Sequence, residues 1–511
     1  MSQACQGILV NIDINSVVYP FLNQVAQQEQ ITEADLYPFI DQYADTQVTD
    51  IALNVFCQYS NTPSAIITDA YHKYEQRMEN GHSVDYTATF SGIYKLWRVK
   101  QLDVYAIWFR RSRELGLKSW LSVRMNDAHE PDGKTSFLRS AFSYTARAQG
   151  WVIGADYGYY RFCLDYTQPV VRHLMLTYLA EQLDRYDVDG LELDWLREIY
   201  CFDYLHQPEA AATMNEFMRQ VKTLICHAEN KWGHKISLMV RLMRDIEQNK
   251  VFGFDVRTWV KEDLVDVIAV GPRWNSCDSA MPLQDWKALC GSKIPVFACL
   301  EILVNRASHL AFATADVARG YATQYLHAGA DKIYLYNYFQ NPYRQADERN
   351  SIYRTCGDLT ALKLLPRRHI VTWQDLCPEG YLPYKPLPCQ IGAADCFHLD
   401  LQTGPIRPDQ SVKLIFGLNK NDHAADASLR VNGNTCSEMK KTTIQSFDGA
   451  QDIMGNNGYV DADTQLYTCN VQAVLLPDSQ QIEIKNTGSQ SLTLTYVELD
   501  ILFAIEGGQM T

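Results

Sequence analysis

One recurrence constrains the fold of this chain more than anything else in it. Eight short apolar runs fill its first two-thirds: Ile8–Asp13, Ile51–Phe56, Ser119–Arg124, Gly190–Asp194, Ile236–Arg241, Asp266–Gly271, Pro295–Glu301 and Lys332–Asn337. Amphipathic stretches of helical period lie between them, as at Leu102–Leu115, Val170–Tyr186, Glu209–Glu229 and Ala315–Ala328. Gly116 and Gly329 stand where two of these helices call for a C-terminal cap. Strand alternating with helix eight times predicts a (β/α)8 TIM barrel, for which about 330 residues with insertions is an ordinary size.

The connection from Cys57 to about Gly92 is longer than a barrel requires and rich in Tyr, Asn, Thr and His. It is expected to form a wall or lid over one face. After Leu365 the period changes. Phe397–Leu401, Ser411–Leu418, Ser428–Val431, Val471–Leu475, Gln481–Lys485 and Leu492–Leu502 read as strands, several alternating at period two between Gly, Asn, Asp and Pro. They predict an antiparallel β-sandwich of about 130 residues. The expected division is therefore a barrel over 1–364, with its insertion at 57–92, and an accessory sandwich over 365–511. No repeat or low-complexity linker separates the two, so they are expected to pack directly.

Composition narrows the partners. The 511 residues are 47% apolar and 21% charged, with a net charge of −14. That balance argues against nucleic acid or an anionic membrane surface, both of which need a basic face. No apolar run approaches the roughly 20 residues that span a bilayer. The start, MSQACQGILVNIDIN, lacks a basic n-region and a long apolar h-region. The fourteen cysteines are scattered, without CxxC or paired Cys/His spacing. Reduced, mostly buried thiols in a cytoplasmic or unexported protein are the simplest account, and a periplasmic form with one or two disulfides is the alternative. No metal or cofactor is expected.

In a barrel enzyme the reacting groups lie at the carboxyl ends of the strands. Here those ends carry Asp13 and Asn15; Asn54; Arg124, Asn126, Asp127 and His129; Glu192, Asp194 and Arg197; Arg241 and Arg244; Arg273 and Trp274; Glu301; and Asn337. The set is polar, partly aromatic, and without a Gly-rich phosphate loop, which favours a sugar over a phosphate. Four successive strands each deliver an arginine to one rim. Arginine binds carboxylates bidentately and stays charged, so an anionic sugar, sialic or uronic, is favoured over a neutral one. The plainer reading is that these arginines pair with Glu192, Asp194, Glu301 and Asp127. Glycoside hydrolysis needs a proton donor for the leaving oxygen and a group acting from the other face. Glu192 or Asp194 with Glu301 could supply both. Alternatively, Glu192 orients an arginine and Asp194 caps the segment after its strand. His129, just past the third strand, offers a general acid of near-neutral pKa.

On VNIDIN, SVRMN, RMNDAHEP, DWLRE and YLYNYF the chain resembles the inverting exosialidases of glycoside hydrolase family 156. The resemblance implies a barrel followed by a β-rich domain and a sialylated glycan as substrate. It implies Asp13 as general base and His129 as general acid. Arg124 and Arg197 would hold the substrate carboxylate, and Asn337 would be a further substrate contact. A third carboxylate-binding arginine is not assigned; Arg241, Arg244 and Arg273 remain open. The chemistry fits: a carboxylate on the anomeric carbon repels a carboxylate nucleophile, which direct displacement by water avoids. Two other readings stand beside it. One is a uronic or neutral glycosidase using the Glu192/Asp194 and Glu301 pair. The other is a non-catalytic carbohydrate-binding protein, weakly supported because Trp373 is the only Trp near the sandwich. The sandwich is expected to brace the barrel or to form a homodimer contact.

Overall fold

The structure is a computed structural model describing residues 6–70, 78–79, 82–83, 87–128, 139–273, 276–306, 309–338, 346–422, 426–436, 439–442, 463–471 and 479–503. Its first part is a closed parallel barrel. The strands are β1 (Ile8–Ile12), β2 (Val48–Phe56), β3 (Lys118–Arg124), β4 (Gly190–Asp194), β5 (Ser237–Met243), β6 (Val267–Gly271), β7 (Val296–Glu301) and β8 (Lys332–Tyr336). Each pairs with its neighbours in order, and β8 closes on β1 with Leu9 opposite Tyr334.

The helices form where the periodicity placed them: α1 (Val104–Glu114), α2 (Pro169–Arg185), α3 (Ala210–Trp232) and α4 (Ala315–His327). Asp103 caps α1 by accepting from the Ala106 amide at 3.1 Å, an interaction worth about 1 kcal/mol. Residues 57–70 do not stand clear of the barrel. They pack along α2, where Ser60 meets Tyr178, the Thr62 hydroxyl donates to Gln182, and the Ser64 hydroxyl donates to Glu181.

Alternation along each strand sorts its side chains. Ile8, Val10 and Ile12 face the helices and join the main apolar core, whereas Leu9 faces the barrel interior. Gly190 serves that interior rather than a turn. A Cβ there would lie 2.1 Å from Trp120 Cε3, so the indole filling the barrel floor requires a residue without one.

The second part holds antiparallel sheets around a separate core of residues such as Leu414, Phe416, Ile482 and Leu494. Its strands include β9 (Arg367–Ile370), β10 (Cys396–Gln402), β11 (Gln410–Asn419), β12 (Ala427–Val431), β13 (Thr464–Val471), β14 (Ser479–Asn486) and β15 (Leu492–Phe503). One expected strand shifts. Instead of starting at Val471, β13 ends there, because Thr464, Leu466 and Cys469 are its buried residues; 472–478 lie outside the described residues. Barrel and sandwich touch closely at α4 and β9. A Cβ on Gly320 would sit 1.9 Å from the Arg368 carbonyl oxygen. The Tyr321 hydroxyl donates to the Ile370 carbonyl at 2.8 Å. Among the described residues no helix is long and apolar enough to cross a membrane.

Candidate active site

TIM-barrel interiors are ordinarily filled by bulky branched side chains. This one is polar from the middle upward. The inward positions of β1 run Leu9, Asn11, Asp13, and those of β3 run Trp120, Ser122, Arg124. β4 contributes Glu192 and Asp194, β5 Arg241, β7 Cys299 and Glu301, and β8 Tyr334 and Tyr336.

The middle layer centres on Glu192, which is fully buried. It accepts from Asn11 Nδ2 at 3.1 Å and from the Tyr334 hydroxyl at 2.5 Å. Asn11 Nδ2 also lies 3.0 Å from Ser122 Oγ. Burial, and then the charge of Asp194, push the Glu192 carboxyl up to about 7. The expectation that Glu192 orients an arginine is corrected: its partners are an amide and a phenol. Asp194 is the residue that meets an arginine. Its Oδ1 accepts from Arg241 Nη1 at 2.7 Å and from the amides of Leu196 and Arg197 at 3.1 and 2.9 Å, so it also caps the turn after β4. Arg241 is spent in this arrangement, donating also to the carbonyls of Pro272 and Arg273 and lying 3.7 Å above the Tyr336 ring.

Above these residues a chain of alternating charges crosses the mouth. Arg124 Nη2 donates to Asp13 Oδ1 at 2.6 Å, and Arg124 Nη1 lies 3.7 Å from Asp127 Oδ2. Arg197 Nε stands 3.9 Å from that same Asp127 oxygen, and Arg197 Nη1 is 3.8 Å from Glu198 Oε1. Glu198 Oε2 then accepts from Arg273 Nε and Nη2 at 2.9 and 2.5 Å. The ends of strands one, three, four and six are thus joined. The contacts of 3.7 to 3.9 Å are ion pairs longer than hydrogen bonds. Arg124 Nε is buried and has no hydrogen-bond partner among the described residues.

Asp13 sits at the head of this chain, 8% exposed, and its Oδ2 also accepts from the Ser16 amide at 2.9 Å. Burial pushes its carboxyl up, but the Arg124 charge and the Ser16 bonds outweigh that and hold it below the usual carboxylate range. Asp13 is therefore ionised. Glu301 is the opposite case. It is fully buried, its Oε1 accepts from the Ile302 amide at 2.9 Å and from Asn337 Nδ2 at 3.4 Å, and its Oε2 has no hydrogen-bond partner among the described residues. Burial drives this carboxyl well above its ordinary value against the pull of Arg241. Asn337 is half-buried at the end of β8 with φ +60°, in the left-handed region that Asn tolerates.

The structure brings Asp13, Arg124 and Arg197 into one network and places Asn337 on Glu301. His129 and Trp274 lie outside the described residues. Asn126 brackets loops, donating to the carbonyls of Leu164 and Tyr200. Arg244 lies apart from the network, paired to Asp278 at 2.5 Å. The anticipated arginine pairing holds for Asp194 and Asp127 but not for Glu192 or Glu301. Glu198 takes part instead, one residue beyond Arg197 in DWLRE. Among the described residues no cluster of three or more His, Cys, Asp or Glu is placed to hold a metal ion.

No family model matches the chain, and no curated protein matches it in sequence. Solved structures do. The cycloisomaltooligosaccharide glucanotransferase of Paenibacillus sp., complexed with cycloisomaltoheptaose, is 10% identical, with a TM-score of 0.36 over 98% of this chain and 58% of that one. The α-L-fucosidase isoenzyme 2 of Paenibacillus thiaminolyticus is 10% identical, with a TM-score of 0.41 over 70% of this chain and 50% of that one. An Anoxybacillus α-amylase is 12% identical, with a TM-score of 0.38 over 93% of this chain and all of that one. The chain spans between half and three-fifths of the length of the first three such structures. The barrel assignment rests on the strand order and register described above.

Proposed function

We propose that the protein is a glycoside hydrolase and, within that class, an exo-acting sialidase that releases terminal α-linked sialic acid with inversion. The observation that carries this reading is the charge chain Asp13–Arg124–Asp127–Arg197–Glu198–Arg273 across the barrel mouth. A sialoside bears a carboxylate on its anomeric carbon. Arg124 and Arg197, each held at ion-pair distance by a carboxylate it can share, form the clamp for that group. Asn337 is a further contact.

Asp13 acts as the base. The water oxygen bonds to the anomeric carbon while Asp13 takes a water proton, and the bond to the leaving oxygen breaks as His129 gives that oxygen a proton. When the substrate carboxylate engages Arg124, the pull of that arginine on Asp13 is shared, and Asp13 becomes more basic as it is needed. The carboxylate pair of Glu192 or Asp194 with Glu301 is less suited to this chemistry. Asp194 is occupied by Arg241 and two amides, and Glu192 lies a layer lower.

Time-resolved proton NMR of α-sialoside hydrolysis tests the reading. The β-anomer of free sialic acid is expected first; an initial α-anomer overturns inversion. Substituting His129→Ala is expected to cost roughly 10² to 10⁴ in rate on natural sialosides and far less on aryl sialosides, whose leaving groups need little protonation. Equal losses on both would remove His129 from the acid role.

A further inference from the structure

Beside Glu198 and Arg273 stands an aromatic wall that the proposed chemistry does not use. The 3-10 segment Ala155–Phe162 is strapped at its base, the Ile153 amide donating to the Cys163 carbonyl at 3.0 Å and the Gly154 amide to the Arg161 carbonyl at 3.2 Å. Tyr160 stacks on Tyr200 with ring centroids 4.0 Å apart, and Tyr200 in turn packs edge-on against Phe252 at 5.2 Å. Those rings bury one another. Tyr159 does not share in this. It is 40% exposed and meets Tyr160 edge-on at 5.2 Å, and its hydroxyl has no hydrogen bond among the described residues.

Arg273 braces the pair from beneath, its guanidinium carbon 5.1 Å from the Tyr160 ring centre and 5.6 Å from that of Tyr159. Arg273 donates to Glu198 through Nε and Nη2, which answers its charge with a carboxylate. The Tyr159 phenol also lies within electrostatic reach of Arg197 and Asp127. An accessible ring thus stands at the rim of the arginine clamp, on a support whose cation is paired to Glu198. Such a surface suits the apolar C–H face of a neutral sugar, with the phenol hydroxyl available to a sugar hydroxyl.

We propose that Tyr159, braced by Tyr160 and Arg273, is the platform for the neutral hexose to which the sialic acid is attached. This rests on the sialidase reading for the identity of the adjoining subsite. The platform makes the aglycone, and not the terminal sugar alone, a source of binding energy.

Three enzymes, wild type, Tyr159→Ala and Tyr159→Phe, are compared on sialyllactose and on methyl α-sialoside, whose aglycone is too small to reach the ring. Saturation-transfer NMR with lactose alone is recorded beside them. Tyr159→Ala is expected to raise KM for sialyllactose about tenfold, with an effect on methyl α-sialoside at least fivefold smaller. Tyr159→Phe, which keeps the ring, is expected to recover most of that loss. Transfer from protein to lactose is expected in wild type and lost in Tyr159→Ala. Equal losses on the two sialosides, or none on either, overturn the platform. If wild type hydrolyses neither sialoside, the sialidase reading falls by itself. Lactose transfer then decides the platform: loss in Tyr159→Ala sustains it, and transfer that is absent from wild type or persists in the variant overturns it.

Discussion

The barrel mouth and the sandwich each bury arginines against carboxylates, yet the two networks are built differently. In the sandwich, Arg368 on β9 forks onto one carboxylate, its Nε donating to Glu498 Oε1 and its Nη2 to Oε2 at 3.2 Å, while Asp500 and Asp316 stand farther off at 3.6 and 3.9 Å. The Tyr496 hydroxyl donates to the same group. The Asp500 carboxyl is pushed well up by burial and then by the charge of Glu498. That network is centred on a tight fork. In the mouth, Arg197 is divided between two carboxylates at 3.9 and 3.8 Å, and Arg124 holds one close at 2.6 Å and one at 3.7 Å. Fork geometry maximises the attraction needed to offset two buried charges. A strung-out chain leaves contacts that a ligand's carboxylate can replace. The same residue types therefore form a tight fork in one place and, on the proposed reading, an exchangeable clamp in the other.

Three substitutions break or sharpen this contrast. The largest effect is expected from Asp13→Asn, which removes the proposed base and the anchor of Arg124; kcat on sialyllactose should fall by roughly 10² to 10⁴. A kcat within tenfold of wild type would place the base elsewhere. Next, Arg368→Met strands Glu498 without its cation and is expected to cost about 3–5 kcal/mol in urea unfolding, with KM for α-sialosides unaltered. If it perturbs KM as Arg124→Met does, the two networks are not separate in function.

The third effect is smaller and depends on pH. The Glu192 carboxyl titrates near 7 in the folded protein against 4.5 when unfolded, so the folded state binds the extra proton. Stability is therefore expected to decline as pH rises from about 4.5 through 7, by a total of about 3 kcal/mol. Glu192→Gln should flatten that decline, gaining on wild type at about pH 8 and not at about pH 4. Parallel melting curves for the two proteins across that range would contradict it.

Much of this was legible from sequence because period does the sorting. The run Gly190–Asp194 begins and ends as read, and inward alternation carries Glu192 and Asp194 to the lumen. Helix boundaries came within three residues because caps such as Gly116 and Gly329 are local signals. What sequence could not supply was pairing across strands. Nothing local distinguishes Asp194, which takes an arginine, from Glu192, which takes an amide and a phenol. Their partners Arg241 and Tyr334 come from strands far along the chain. Glu198 was overlooked because its role depends on Arg273, seventy-five residues away. The alternation in YLYNYF did hold the signal that would have found Tyr334 and Tyr336, both inward on β8.

The one-for-one matching in the mouth also bears on how a ligand arrives. Among the described residues, Arg124, Arg197, Arg241 and Arg273 stand beside Asp13, Asp127, Asp194 and Glu198, and burial favours the uncharged form of Glu301. At a distance such a set cancels, leaving the −14 of the whole chain as the field an approaching anionic glycan meets. That field repels rather than steers, and over a Debye length of about 8 Å physiological salt screens it. Encounter is therefore unassisted diffusion against a weak headwind. On the proposed sialidase reading, recognition of the negative charge begins only at contact, when one arginine trades a protein carboxylate for the ligand's own.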